Sequence, residues 1–116
     1  MNSLPEYAAE LSRLSTLIDA GINSLRESAI EAAHAEHDYR KAKAIAWTEA
    51  PPGTVPVREA WVEAQTADQR LRLDLAEGTK QAALEAVRSR RQQLSGVQSL
   101  LAAHKEEAAF SRTAGQ

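Results

Sequence analysis

The sequence contains no cysteine, only one Phe, two Tyr and two Trp, and no long apolar run. Without cysteine the chain has neither a disulfide framework nor thiolate chemistry. Few aromatic side chains and abundant Ala, Leu, Glu, Arg and Gln are typical of long helices and coiled coils. No segment has the roughly 20 apolar residues that cross a bilayer, and no apolar signal segment follows Met1. We therefore expect a cytoplasmic, all-α protein that does not enter a membrane.

Motifs that carry enzymatic chemistry are also missing. The five glycines are scattered, so no glycine-rich phosphate loop is present. His34 and His37 are three residues apart, which puts two imidazoles on one helix face, but a metal site needs further ligands. Glu106 and Glu107 are adjacent, and adjacent helix positions do not face each other. We expect no enzyme activity, no cofactor and no metal.

The first half of the chain carries an apolar side chain at every seventh position, which is the pattern of a coiled-coil helix. These residues are Leu4, Leu11, Ile18, Leu25, Ala32, Tyr39 and Ala46. The companion seam positions are Tyr7, Leu14, Gly21, Ser28, Ala35 and Ala42. Ser3 and Glu6 have the spacing of a capping box. The pattern predicts a first helix over residues 4–48.

The segment Ala50-Pro51-Pro52-Gly53 predicts a turn over residues 50–54, because prolines and glycine end a helix. A second helix is expected over residues 55–110. Its apolar stripe begins with Val57, Trp61, Ala64, Leu71, Leu75, Gly78 and Ala82, and continues with Val87, Leu94, Val97, Leu101 and Ala108. The change of phase between the two runs predicts a bend near Gly78.

A short turn between two long helices predicts an antiparallel hairpin, in which contacting residue numbers sum to about 105. We expect residues 1–116 to form a single coiled-coil-like domain. Two helices cover only one stripe each, so the hairpin is expected to assemble into a dimer or a higher helical bundle. The predicted oligomer seam is Leu11, Leu14, Ile18, Leu25, Leu94, Val97 and Leu101.

Two local clusters of positive charge interrupt a chain whose formal net charge is −2. From Ala86 to Lys105 there is no acidic residue, and the basic residues are Arg88, Arg90, Arg91 and Lys105. The second cluster is Arg40, Lys41 and Lys43, with Tyr39 and Trp47 on either side. Basic groups near aromatic rings suit single-stranded nucleic acid. The alternatives are a solvated helix face, ion pairs between subunits, or cations that complement a helix dipole.

Three segments resemble small all-helical proteins of bacteriophage early regions, including those similar to UvsY-type recombination mediators. They are Tyr39–Lys43, the stretch from Trp47 to Val57 that leads into "VREA", and "RSRRQQLSGVQSLL" at Arg88–Leu101. The resemblance implies a ring or bundle oligomer in the host cytoplasm that binds single-stranded DNA and assists a recombinase. It also implies that the contact residues are Arg40, Lys41, Lys43, Arg88, Arg90 and Arg91.

Two other functions stay open at this point. The hairpin could be a scaffold or inhibitor module that binds a host or viral protein through its helical seam. It is also similar to the secreted helical hairpins of the WXG100 family, in which a tryptophan stands near a central turn. Trp47 has that place here, although Glu49 stands where that family carries glycine.

Overall fold

The computed structural model describes residues 3–114, which form three α-helices. Helix α1 spans Leu4–Glu49, α2 spans Val55–Gln65 and α3 spans Ala67–Ala114. The predicted first helix and the turn at Pro51 to Gly53 are confirmed. At the start of α1 the Glu6 backbone N–H donates to Ser3 Oγ at 3.3 Å, which satisfies an amide group that has no partner within the helix.

The second half of the chain is broken at Thr66, so the prediction of one helix over residues 55–110 is wrong at this point. Thr66 has φ −111° and ψ 12°, and it is 2% exposed. Its hydroxyl and its backbone N–H both donate to the Val62 carbonyl, at 2.8 and 3.1 Å. A threonine hydroxyl that donates to the carbonyl four residues earlier competes with the backbone hydrogen bonds of the helix and often bends it. Helix α3 runs through Gly78, the expected bend, without interruption.

The chain divides into two compact units, and the first combines the described parts of Met1–Asn23 and Leu84–Gln116. Within it, the early part of α1 lies antiparallel to the late part of α3, as the facing pairs Tyr7 and His104, and Gly21 and Val87, show. Its core is formed by Tyr7, Leu14 and Val97, with Leu11, Leu94 and Leu101 packed against them.

The second unit is Ser24–Ala83, which contains the rest of α1, all of α2 and the start of α3. Its core is built from the small residues Ala32, Ala35 and Ala76, with Leu73 packed against them. Small side chains let two helices approach closely. Arg72 of α3 also joins two carboxylates of α1, Glu31 at 2.9 Å and Asp38 at 2.5 Å.

The inward face of α2 and α3 differs from the predicted stripe. Val57, Leu71 and Leu75 were expected inside, but they are 60, 59 and 64% exposed. Most of the buried or half-buried positions instead follow two seven-residue series without a phase change, and only Arg58, Trp61 and Leu84 among the described residues of α2 and α3 are half-buried outside them. These positions are Thr66, Leu73, Lys80, Val87, Leu94 and Leu101, and Val62, Gln69, Ala76, Ala83, Arg90, Val97 and His104. We call them the α3 seam. The expected slip in phase is therefore wrong.

The pairing register also differs from the predicted sum. A sum of 105 would place Gly21 beside Leu84 and Tyr7 beside Gln98. In the structure Gly21 lies against Val87, and the Tyr7 and His104 rings are 5.5 Å apart between centroids. Contacts in this unit are therefore displaced along α3 by three residues at Gly21 and by six residues at Tyr7, which is about one to two helical turns.

Candidate nucleic-acid interface

The acid-free segment from Ala86 to Lys105 lies on α3, and its four basic residues do not share one surface. Arg88, Arg91 and Lys105 are exposed, whereas Arg90 is half-buried because it is a member of the α3 seam. A Cβ atom added to Gly21 would lie 3.8 Å from Arg90 Nη1, so the Arg90 guanidinium lies close to α1 at Gly21. Arg90 therefore belongs to the contact between α1 and α3.

A row of exposed polar and basic side chains follows one edge of α3. Arg91, Gln98, Lys105 and Arg112 are seven residues apart and all are exposed, so they lie along one side of a continuous helix. At a rise of about 1.5 Å per residue the row is about 32 Å long. We call these four residues the cationic edge, and Arg88 lies one turn before Arg91. Arg112 was not among the predicted residues, because two glutamates follow Lys105 and end the acid-free segment.

The seven-residue register indicates which residues of α1 face this edge. Arg91, Gln98 and Lys105 each come directly after a residue of the α3 seam. On α1 the residues that come directly after a seam position in the same way are Ala8, Ser15 and Ile22. In the second unit, residues with the same place relative to the seam face each other across the two helices. Arg72 pairs there with Glu31 and Asp38, and each of the three comes directly before a seam position. The same rule therefore places only uncharged side chains opposite the cationic edge.

The exposed cations of this region do not take part in the ion pairs found among the described residues. Among residues 3–114, none of the ion pairs includes Arg88, Arg91, Lys105 or Arg112. Lys105 and Arg112 line one shallow groove together with Leu4 and Ala108, so the two cations have an apolar floor between them. Such a surface can contact phosphate through its charges and a sugar or base through the groove floor.

The second predicted cluster is largely committed to contacts within its own unit. Arg40 Nη2 lies 2.7 Å from Glu36 Oε1, and Lys43 Nζ lies 5.8 Å from the centre of the Tyr39 ring. Arg70 also lies over that ring, at 5.5 Å. Lys41 is exposed. Tyr39, Arg40 and Lys43 thus make contacts within their own unit, and a role of this cluster in binding nucleic acid stays a prediction.

The other aromatic ring of that cluster is covered as well. Arg58 lies 5.5 Å from the centre of the Trp47 ring, and Arg58 Nη2 donates to the Trp47 carbonyl at 3.4 Å. A ring that already carries a guanidinium offers less surface to a nucleic-acid base. The rings of Tyr39 and Trp47 therefore have less free surface for stacking with a base.

The predicted oligomer seam is used within one chain. Leu14, Ile18 and Val97 are buried, and Leu11, Leu94 and Leu101 pack against the core of the first unit. Leu25 is half-buried. The hairpin itself thus covers the side chains that led us to expect self-association, which stays a prediction.

His34 and His37, the pair considered above as metal ligands, lie on α1. His37 Nδ1 lies 3.4 Å from Asp38 Oδ1, and no group of three or more potential metal ligands occurs in residues 3–114.

In the same range, none of the helices combines the length and apolar character that a membrane span requires.

Comparison of the sequence with models of known protein families and with curated proteins, and of the structure with solved structures, found no match.

Proposed function

We propose that this protein is a non-enzymatic accessory protein that binds single-stranded DNA along the cationic edge of α3. The observation that carries the proposal is the row of exposed basic residues on one side of α3 that lack an ion pair among the described residues. Cations placed along a line neutralise successive phosphates and release their counterions. The resemblance to UvsY-type mediators supports the same function and adds assistance to a recombinase.

The form of the surface favours a single strand over a duplex. The basic residues occupy one narrow edge, and the chain as a whole carries a net charge of −2, which repels the denser charge of a duplex. A flexible single strand can follow one row of contacts. Since the rings of Tyr39 and Trp47 are covered by cations, we expect little preference for base sequence.

The test is fluorescence anisotropy with a labelled oligothymidylate of about 25 nucleotides in about 50 mM salt. The wild-type protein is expected to bind in the micromolar range. The triple variant R91Q/K105Q/R112Q should bind at least tenfold more weakly, because it removes three phosphate contacts. The matched control is R40Q/K41Q/K43Q, which removes the same amount of charge from the other cluster and should change the affinity less than threefold.

Two results would reject the proposal. One is the absence of binding by the wild-type protein under these conditions. The other is an equal loss in both triple variants, which would mean that the oligonucleotide responds only to overall charge. Circular dichroism of each variant checks that the helices remain folded.

A second candidate function, a protein-interaction scaffold, is favoured by the exposed leucines of the second unit. Leu71 and Leu75 are 59 and 64% exposed. Large apolar side chains at helical spacing on a surface are typical of sites that bind a helix of another protein.

A further inference from the structure

Helix α3 carries a second apolar stripe on the side away from the α3 seam. Leu71, Leu75, Gly78 and Ala82 follow each other at intervals of four, three and four residues, which is the spacing of a coiled-coil seam. All four are exposed, and a Cβ atom added to Gly78 would meet nothing within 4 Å. We call these residues the outer stripe. It lies wholly within the unit Ser24–Ala83.

The surface around the outer stripe has the relief of a helix-binding site. Leu71 borders two shallow depressions. One is lined by Leu75, Ala76, Thr79, Asp68 and Glu31, and the other by Tyr39, Glu63, Arg70 and Asp74. A ridge between two grooves is what the side chains of a second helix interlock with.

The charge around the stripe is negative and only partly compensated. The two depressions include the carboxylates of Glu31, Glu63, Asp68 and Asp74, but only the guanidinium groups of Arg70 and Arg72. Arg72 is already bound to Glu31 and Asp38, and Arg70 lies 3.2 Å from Asp74 and over the Tyr39 ring. Among the ion pairs within residues 3–114, none includes Glu63 or Asp68.

We infer that the outer stripe binds a basic amphipathic helix of a partner protein. The seam spacing selects a helix, because only a helix places side chains at matching intervals along the ridge. The uncompensated carboxylates select lysine or arginine beside the partner's apolar face. A second copy of this chain packed stripe to stripe would bring the same negative charges together. The inference rests on the second candidate function, the protein-interaction scaffold, and is independent of the cationic edge, which lies in the other unit.

The experiment uses two synthetic amphipathic peptides with the same leucine heptads, one with lysine and one with glutamate at the flanking positions. Binding to the full-length protein is measured by fluorescence anisotropy. The lysine peptide is expected to bind in the micromolar range and the glutamate peptide at least tenfold more weakly. The variant L71Q/L75Q should lose at least tenfold in affinity for the lysine peptide. E63Q/D68N should lose several-fold and show a weaker dependence on salt.

The matched control is L100Q. Leu100 is 55% exposed on the same helix but lies outside the outer stripe, so its replacement should change the affinity less than twofold. Equal binding of the two peptides, or an equal loss in L100Q and L71Q/L75Q, would overturn the inference. Light scattering supplies another decisive outcome: if L71Q/L75Q turns an oligomer into a monomer, the stripe is occupied by a second copy and not by a foreign helix.

Discussion

Helices α1 and α3 approach each other closely at Gly21, which leaves little space for a side chain there, whereas Gly78 and Gly96 have open space around them. A Cβ atom at Gly21 would lie 3.0 Å from Val87 Cγ2, which is tighter than an ordinary contact. At Gly78 and Gly96 a Cβ atom would meet nothing within 4 Å. The same residue type thus has a packing role at one position and only a conformational cost at the other two.

We predict that G78A and G96A each raise the free energy of unfolding by up to about 1 kcal/mol, which is the helix-propensity difference. G21A should gain less than these or lower stability, because Val87 must shift to admit the methyl group. Urea denaturation measures all three. In a V87A background G21A should recover the full gain, and equal stabilisation by G21A and G96A in the wild-type protein would contradict the close contact.

Arg72 makes the contact between α1 and α3 dependent on pH. Its hydrogen bond lowers the pKa of Asp38, with a smaller contribution from His37. Since the folded state favours the ionised carboxyl, this contribution to stability is present above the unfolded pKa of about 4 and is lost as the pH falls through the lower folded value.

We therefore predict that the melting temperature falls on acidification below about pH 4, and that R72Q makes this fall shallower. The control is R13Q. Arg13 lowers the pKa of Glu10, but both residues lie within α1, so R13Q should alter the acid dependence without breaking a contact between helices. An acid profile of R72Q that equals the wild-type profile would show that the Arg72 contacts do not form in solution.

The two long helices differ in how directly their sequences indicate the inward face. On α1 nearly all seam positions are apolar or small, so the seven-residue pattern found them. The α3 seam contains the polar residues Gln69, Lys80, Arg90 and His104. The apolar pattern therefore indicated Leu71 and Leu75, which are exposed. What buries a residue is the neighbouring helix: His104 is accommodated by the ring of Tyr7. Which residue lies opposite can be predicted only when the register between the two helices is known.

The candidate site was also predictable in part. The lack of acidic residues identified Arg88, Arg91 and Lys105, which are exposed in the structure. The lack of acidic residues also selected Arg90, which is half-buried, and left out Arg112, which lies beyond Glu106 and Glu107. Local charge content does not show on which side of a helix a residue lies. The seven-residue spacing supplies that information once the seam is known.

At the boundary between α2 and α3 the buried hydroxyl of Thr66 donates to the Val62 carbonyl. Replacing Thr66 by valine keeps the shape but leaves the Val62 carbonyl without the hydroxyl donor. We predict a loss of about 1 kcal/mol in the free energy of unfolding, measured by urea denaturation. The matched control is T79V: Thr79 Oγ1 donates to the Leu75 carbonyl at 3.0 Å, but it is exposed, so water replaces the bond and the change should be within about 0.5 kcal/mol.

The molecule as a whole covers most of its predicted seam within one chain, so association of copies depends on the side chains left outside. Leu100 and Phe110 of the first unit are 55 and 75% exposed. The prediction of a dimer or higher bundle is checked by light scattering at tens of micromolar protein. A mass above that of one chain supports it, and a monomer at that concentration contradicts it.

Both proposals give the protein a binding function with separate surfaces: a cationic edge in one unit and an acidic, apolar stripe in the other. The most direct measurement for the first is the salt dependence of oligonucleotide affinity. For wild-type protein the plot of log K against log salt should have a slope of about −0.7 per phosphate contacted, and R91Q/K105Q/R112Q should reduce its magnitude by about 2. A slope near zero, or one that the triple variant leaves unchanged, would contradict binding along the cationic edge.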